Sequence, residues 1–123
     1  LGIGLGVLAA TQRGRALDQA LMFVVVFGLG VPNFALAAFF VWLFSLKLGI
    51  LPVAGWRETA HAVLPILILA IPVASYLARL SRTFMLEVLT QDFIRTARAK
   101  GAPERRVLLR HALKNALVPI LTV

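Results

Sequence analysis

Cysteine is absent from all 123 residues, which removes disulfides, thiolate metal sites and cysteine nucleophiles from consideration. Acidic residues are scarce. Five Asp and Glu stand against thirteen Lys and Arg, a formal net charge of +8. Charge of either sign is missing from two long stretches, Ala20 to Leu46 (27 residues) and Ala60 to Ala78 (19 residues, His61 counted neutral). No Gly-Lys dipeptide occurs, so these residues lack the phosphate loop G-x-x-x-x-G-K-[ST], whose backbone N–H groups and lysine hold a nucleotide's phosphates. H-E-x-x-H, G-x-S-x-G and paired carboxylates within an apolar run are also missing, which leaves an intramembrane hydrolase without its chemistry. The basic residues are not interleaved with base-stacking aromatics, so the positive balance does not indicate nucleic acid as a partner.

What the chain has in excess is apolar surface: 60% of residues are hydrophobic and mean hydropathy is +0.90. A soluble domain has an apolar share of about 45–50%, whereas a membrane-crossing helix needs about 20 apolar residues in a row. Both uncharged runs meet that length. The fold class expected is all-α, a polytopic transmembrane helical bundle. The chain opens at Leu1, without a Met, in an apolar Gly-rich stretch and stops at Val123 in another. It therefore reads as a fragment of a longer protein: 1–10 the end of one span, 20–46 and 60–81 two spans, 83–115 a basic loop, and 116–123 the start of a further span. A signal peptide is a poor reading of the first ten residues, because their basic flank (Arg13, Arg15) follows the apolar stretch instead of preceding it. Gly2 and Gly6 form a G-x-x-x-G helix-packing pattern.

Charge sets the orientation. Nine of the thirteen Lys and Arg fall between Arg79 and Lys114, two (Arg13, Arg15) in the first connection, and two (Lys47, Arg57) in the one between the runs. Basic loops stay on the cytoplasmic side. The first connection and the loop 82–115 are therefore expected in the cytoplasm and LGILPVAGW (48–56) outside, with Trp42 and Trp56 as interface anchors. That puts the protein in a cytoplasmic (inner) membrane, in contact with membrane lipid. Gly28, Gly30, Pro32 and Asn33 interrupt the first run. Such a break is tolerated where neighbouring helices or a watered cavity satisfy the freed backbone groups. Pro32 and Asn33 are accordingly candidates for a pathway-facing kink, the alternative being a packing kink with Asn33 bonded to a neighbouring helix. Pro65 and Pro72 leave the same choice in the second run. Ser75 and Tyr76, near its inner end, either line a path or sit at a helix contact. His61 stands alone without convergent ligands and reads as an interfacial polar residue.

The basic loop reads as two helices with a break. Leu86, Leu89, Phe93 and Ala97 recur at helical spacing on one face. Gly101 supplies a stop. Pro103 suits the first position of a second helix, with Glu104 a favourable negative charge in its first turn. Arg106, Arg110 and Lys114 make one basic stripe, which by itself is explained as a solvated face snorkelling to anionic headgroups. The Gly-Ala-Pro corner between two short amphipathic helices has a different look: it presents a compact projection to a protein partner.

These residues resemble the cytoplasmic EAA loop of permease subunits of bacterial ATP-binding-cassette importers, and specifically the dipeptide/oligopeptide/nickel permease group. The general family pattern has Glu-Ala-Ala, then Gly after three residues, then Ile-x-Leu-Pro after nine. Aligned on Gly101, those positions hold Arg95, Thr96 and Ala97, then His111, Ala112, Leu113 and Lys114, so only Ala97, Gly101 and Leu113 match. The peptide/nickel group has its own version, close to QDYVRTARAKG followed by VLxRHALRNALIP. This chain has QDFIRTARAKG (91–101) and VLLRHALKNALVP (107–119), and KLGILPVAGW (47–56) and LARLSRTFMLEVL (77–89) are similar to the same group's external turn and loop entry.

The resemblance implies a transport subunit without enzymatic activity of its own, forming a path for peptides, nickel or similar small solutes, with a type I importer permease fold. It implies a coupling loop that seats in a groove of a separate ATPase, formed here by Arg95, Thr96, Ala97, Arg98, Ala99, Lys100, Gly101, Ala102, Pro103, Glu104, Arg105 and Arg106, with Arg95, Arg98 and Arg105 as candidates for ionic contact. No cofactor or metal is expected in this chain, ATP and Mg2+ being used by the ATPase. The partners implied are ATP-binding subunits, a second homologous permease and an external substrate-binding protein. Two other classes compete. A secondary transporter usually carries ionisable groups inside its spans, and the two runs have none. A membrane anchor for an enzyme or signalling protein would need a catalytic domain elsewhere.

Overall fold

The computed structural model describes residues 1–122, and these are helical apart from short connections and one longer non-helical segment, residues 48–59. Helices α1 (Gly2–Thr11), α2 (Ala16–Gly30), α3 (Asn33–Phe40), α4 (Ala60–Leu89), α5 (Asp92–Ala99), α6 (Glu104–Arg106) and α7 (Leu113–Leu121) follow in order. Two π-helical stretches, Val41–Lys47 and Val107–Ala112, extend α3 and join α6 to α7.

The centre of the arrangement is α4. Its 30 residues rise about 45 Å at 1.5 Å each, more than the roughly 30 Å of a bilayer's hydrocarbon, so the apolar helix runs on past Ala78 into the basic end of the chain. α1 lies against it at close range because Gly2 and Gly6 have no side chains: a Cβ on either would run into the carbonyl oxygen of Ala74 or Ala78. The G-x-x-x-G pattern is thus a backbone-to-backbone contact. α2 crosses α4 on the same principle, with Gly28 seated on the Ser75 side chain.

The apolar run 20–46 is not one helix. Between α2 and α3 the axis turns by 104°. Pro32 has no N–H to continue the ladder and pushes the residue before it out of the α region, and Val31 is extended (φ −84, ψ 123). The Pro32 carbonyl then accepts the N–H groups of Ala35 and Leu36 and starts α3. α2 alone has 15 residues, about 22 Å. The expected single span is therefore a bent pair, while Ala60–Leu89 is long and apolar enough to cross by itself.

The helix expected over Leu86 to Ala97 also divides. Thr90 Oγ1 donates back to the Glu87 carbonyl at 2.7 Å, Gln91 is extended, and α5 opens with Asp92 in its first turn, where a carboxylate suits the helix dipole. Leu86 and Leu89 therefore belong to α4, Phe93 and Ala97 to α5. At this end of the molecule Met85, Ile94 and Val107, each 0% exposed, form a core with Ala10, Ala112, Ala116 and Ile120. Burying side chains of that size stabilises by roughly 1.5–3 kcal/mol each. The loop is thus packed on α1 and α4. Beyond it the chain runs through the second π stretch directly into α7, where Asn115 Nδ2 donates to the His111 carbonyl at 2.6 Å.

At the other end Lys47 Nζ lies 5.3 Å from the centre of the Trp42 ring, and Trp56 is exposed. His61 packs on Gly55, where a Cβ would strike its ring, and its Nδ1 accepts the Glu58 N–H at 3.3 Å. His61 therefore closes the turn before α4.

Candidate docking corner

The corner between α5 and α6 is built by one left-handed residue. Gly101 has φ +77, a conformation that an L side chain adopts only at a penalty. It allows two bonds that close the helix: the Gly101 N–H donates to the Arg98 carbonyl at 2.9 Å and the Ala102 N–H to the Ala97 carbonyl at 3.2 Å. This is the Schellman pattern. Its usual apolar contact is present too, since Ala97 and Ala102 both pack, half-buried, on the core. Pro103 then sits one position earlier than expected: it is the residue before the helix (φ −61, ψ 143), and its carbonyl accepts Arg106 and Val107. Glu104 is the first helical residue.

A bidentate ion pair spans the corner. Arg98 Nε donates to Glu104 Oε2 at 3.1 Å and Nη2 to Oε1 at 2.7 Å. The hydrogen bond from the Arg98 guanidinium holds the Glu104 carboxyl below its ordinary pKa, and that carboxylate raises Arg98 in return. Arg98 therefore braces the corner internally instead of standing free. Arg95 is 3.6 Å from Asp92, both highly exposed, and Thr96 Oγ1 donates to the Asp92 carbonyl at 2.9 Å. Ala99, Lys100, Gly101, Pro103, Arg105 and Arg106 are exposed. Among the described residues Lys100, Arg105 and Arg106 are in no ion pair. The result is a rigid, basic projection with an apolar base.

The residues singled out in the apolar runs are not brought together. Pro32 and Asn33 are exposed at the bend, Pro72 is half-buried within α4, and Tyr76 is exposed. Ser75 is buried (8% exposed) at the α2–α4 crossing. Alone of the five it lines an apolar cavity of about 590 Å3, bounded also by Leu5, Val24, Phe27, Gly28 and Leu36.

Sequence reasoning missed a second ionic feature. Asp18, 3% exposed, takes Arg82 Nε on Oδ1 at 2.7 Å and Nη2 on Oδ2 at 2.8 Å. Asp18 stands just before the uncharged run, and Arg82 is one of the nine basic residues between Arg79 and Lys114. Sixty-four residues separate them, too far for any spacing rule to link.

Comparison with known proteins gives a family. Residues 2–123 match the family described as binding-protein-dependent transport system inner membrane component. The chain is 46% identical over 122 residues to the dipeptide transport system permease protein DppB of Bacillus subtilis (strain 168). It is 42% identical to the glutathione transport system permease protein GsiC of Shigella flexneri serotype 5b (strain 8401) and 41% to that of Escherichia coli (strain K12). Each alignment covers 99% of this chain and 40% of the relative, so the chain spans about 40% of the length of these curated relatives.

Proposed function

Since the chain belongs to the inner membrane components of binding-protein-dependent transport systems, we propose that it is part of the permease subunit of an ATP-driven importer for short peptides. Residues 95–106 dock on a separate ATP-binding subunit, which uses ATP and Mg2+. An external binding protein delivers the solute, and a second, homologous permease completes the path. The observation that carries this reading is the Gly101 corner: a left-handed turn braced by Arg98–Glu104 and packed on α4, so that a push on the projection is passed into the longest apolar helix. Arg95, Lys100 and Arg105 make the ionic contacts with the ATPase, while Arg98 keeps the shape. Peptides are put ahead of nickel because the relatives named above are dipeptide and glutathione permeases. Pro32 and Asn33, at the bend, and Ser75, on the cavity, are the residues of the path; Pro72 and Tyr76 shape and flank it.

Affinity purification of the tagged full-length protein from membranes, beside a Gly101→Pro variant, tests the proposal. An ATPase that accompanies the parent and is lost with the variant is the expected result. A parent recovered intact with no ATPase overturns it.

A further inference from the structure

Among the described residues Asp18 is the charged side chain that burial isolates from water. Besides the two bonds from Arg82, its Oδ2 accepts the Gly14 N–H at 3.0 Å. A single carboxylate therefore joins the turn before α2, the first turn of α2, and α4 near its basic end. From Arg82, α4 continues to Leu89 and leads through Thr90 and Gln91 into α5. Met85 of α4 and Ile94 of α5 share one core. Displacement of the corner is consequently passed through packed side chains to Arg82. A planar guanidinium held by two parallel bonds resists both sliding and rotation, whereas Gly28 on Ser75, higher on the same pair of helices, is a close van der Waals contact with no directional bond.

We propose that Asp18 and Arg82 are a positioning pair that makes α2 travel with α4 when the docking corner moves, so that the bend at Val31–Pro32 and the apolar cavity beside it change in step with the ATPase. The inference rests on the importer reading above. Neither residue touches ATP or solute; both act through α2.

The test uses the full-length permease assembled with its ATP-binding subunits in lipid nanodiscs, spin-labelled through Gln19→Cys and Glu87→Cys, both exposed positions at the basic ends of α2 and α4. The distance between labels is measured without nucleotide and with hydrolysis arrested by ATP and vanadate. In the parent it stays constant to within about 2 Å, the scale of an ordinary helix shift. In the Asp18→Asn/Arg82→Gln double variant, which buries no unpaired charge, it shifts by more than that or splits between the two states, while the complex still hydrolyses ATP. Arg82→Lys, with the charge but not the fork, falls between them. A distance that stays fixed in the double variant, or that already changes in the parent, overturns the proposal. So does a double variant that fails to assemble while Arg82→Lys matches the parent, since the pair is then structural only. A parent complex without ATP hydrolysis overturns the importer reading first, before any distances are compared, and the clamp falls with it.

Discussion

Replacing Gly101 by alanine isolates the conformational demand of the corner, because nothing lies within 4 Å of where the new Cβ would stand. No clash contributes. The whole effect comes from holding an L residue at φ +77, a penalty of about 1–2 kcal/mol. If the Ala variant leaves this turn when free and must regain it to dock, that penalty multiplies the dissociation constant for the ATP-binding subunit by up to roughly 5 to 30. Asn, which tolerates the left-handed region better, falls between Gly and Ala. Proline is worse than either: it fixes φ near −65° and removes the N–H that Gly101 donates to Arg98, at about 3 kcal/mol or more. The assay is titration of the full-length permease in nanodiscs with labelled ATP-binding subunit, across the four residues. The expected order of affinity is Gly, Asn, Ala, Pro. Equal affinities for Gly and Ala, or Asn binding no better than Ala, refute the claim that the left-handed turn is what the partner reads.

Glu104→Gln should weaken the Arg98 brace by about 0–1 kcal/mol, the range for exposed pairs, seen as faster amide exchange at Ala102. Because Glu104 is held below its ordinary value near 4.5, the brace contributes fully above that pH and is lost as pH falls through the lower folded value; the Gln variant should show no such step. Gly6→Val should separate α1 from α4 and lower the detergent melting temperature, an overpacking effect of at least about 1–3 kcal/mol, whereas Gly4→Val, with nothing within 4 Å, should leave it unchanged; equal losses would refute the close-contact account. Pro32→Ala restores an N–H and frees Val31, so labels at the exposed Phe23 and Trp42 should move apart, toward the roughly 28 Å of an unbroken helix. An unaltered distance would show that packing, not proline, makes the bend.

Much of the fold was legible because its signals are local or periodic. Uncharged runs announce apolar helices, and a glycine four residues after the last apolar position of an amphipathic stretch, with proline two residues further on, announces a corner. Gly2 and Gly6 were readable as a contact because four-residue spacing puts both on one helix face. Charge asymmetry marked the basic end before any helix had been located. Boundaries were less legible. α4 ends where the Thr90 and Gln91 N–H groups bond only three residues back, to the Glu87 and Val88 carbonyls, a choice that periodicity across Leu86 to Ala97 conceals. Pro32 was visible as a kink, yet the size of the turn depends on how α3 packs after it.

The amino-acid sequence by itself determined an all-helical membrane chain, the concentration of basic charge at one end of it, the Gly101 turn and the family to which it belongs, since each follows from composition or from residues adjacent along the chain. Only the tertiary structure decided which charges are free and which are bound. Arg98 and Arg82 look alike in sequence. One closes the corner on Glu104 and the other reaches a carboxylate from the far side of an apolar run. Pairing of that kind depends on where helices cross, and the crossings are set by glycines and alanines whose partners lie dozens of residues away.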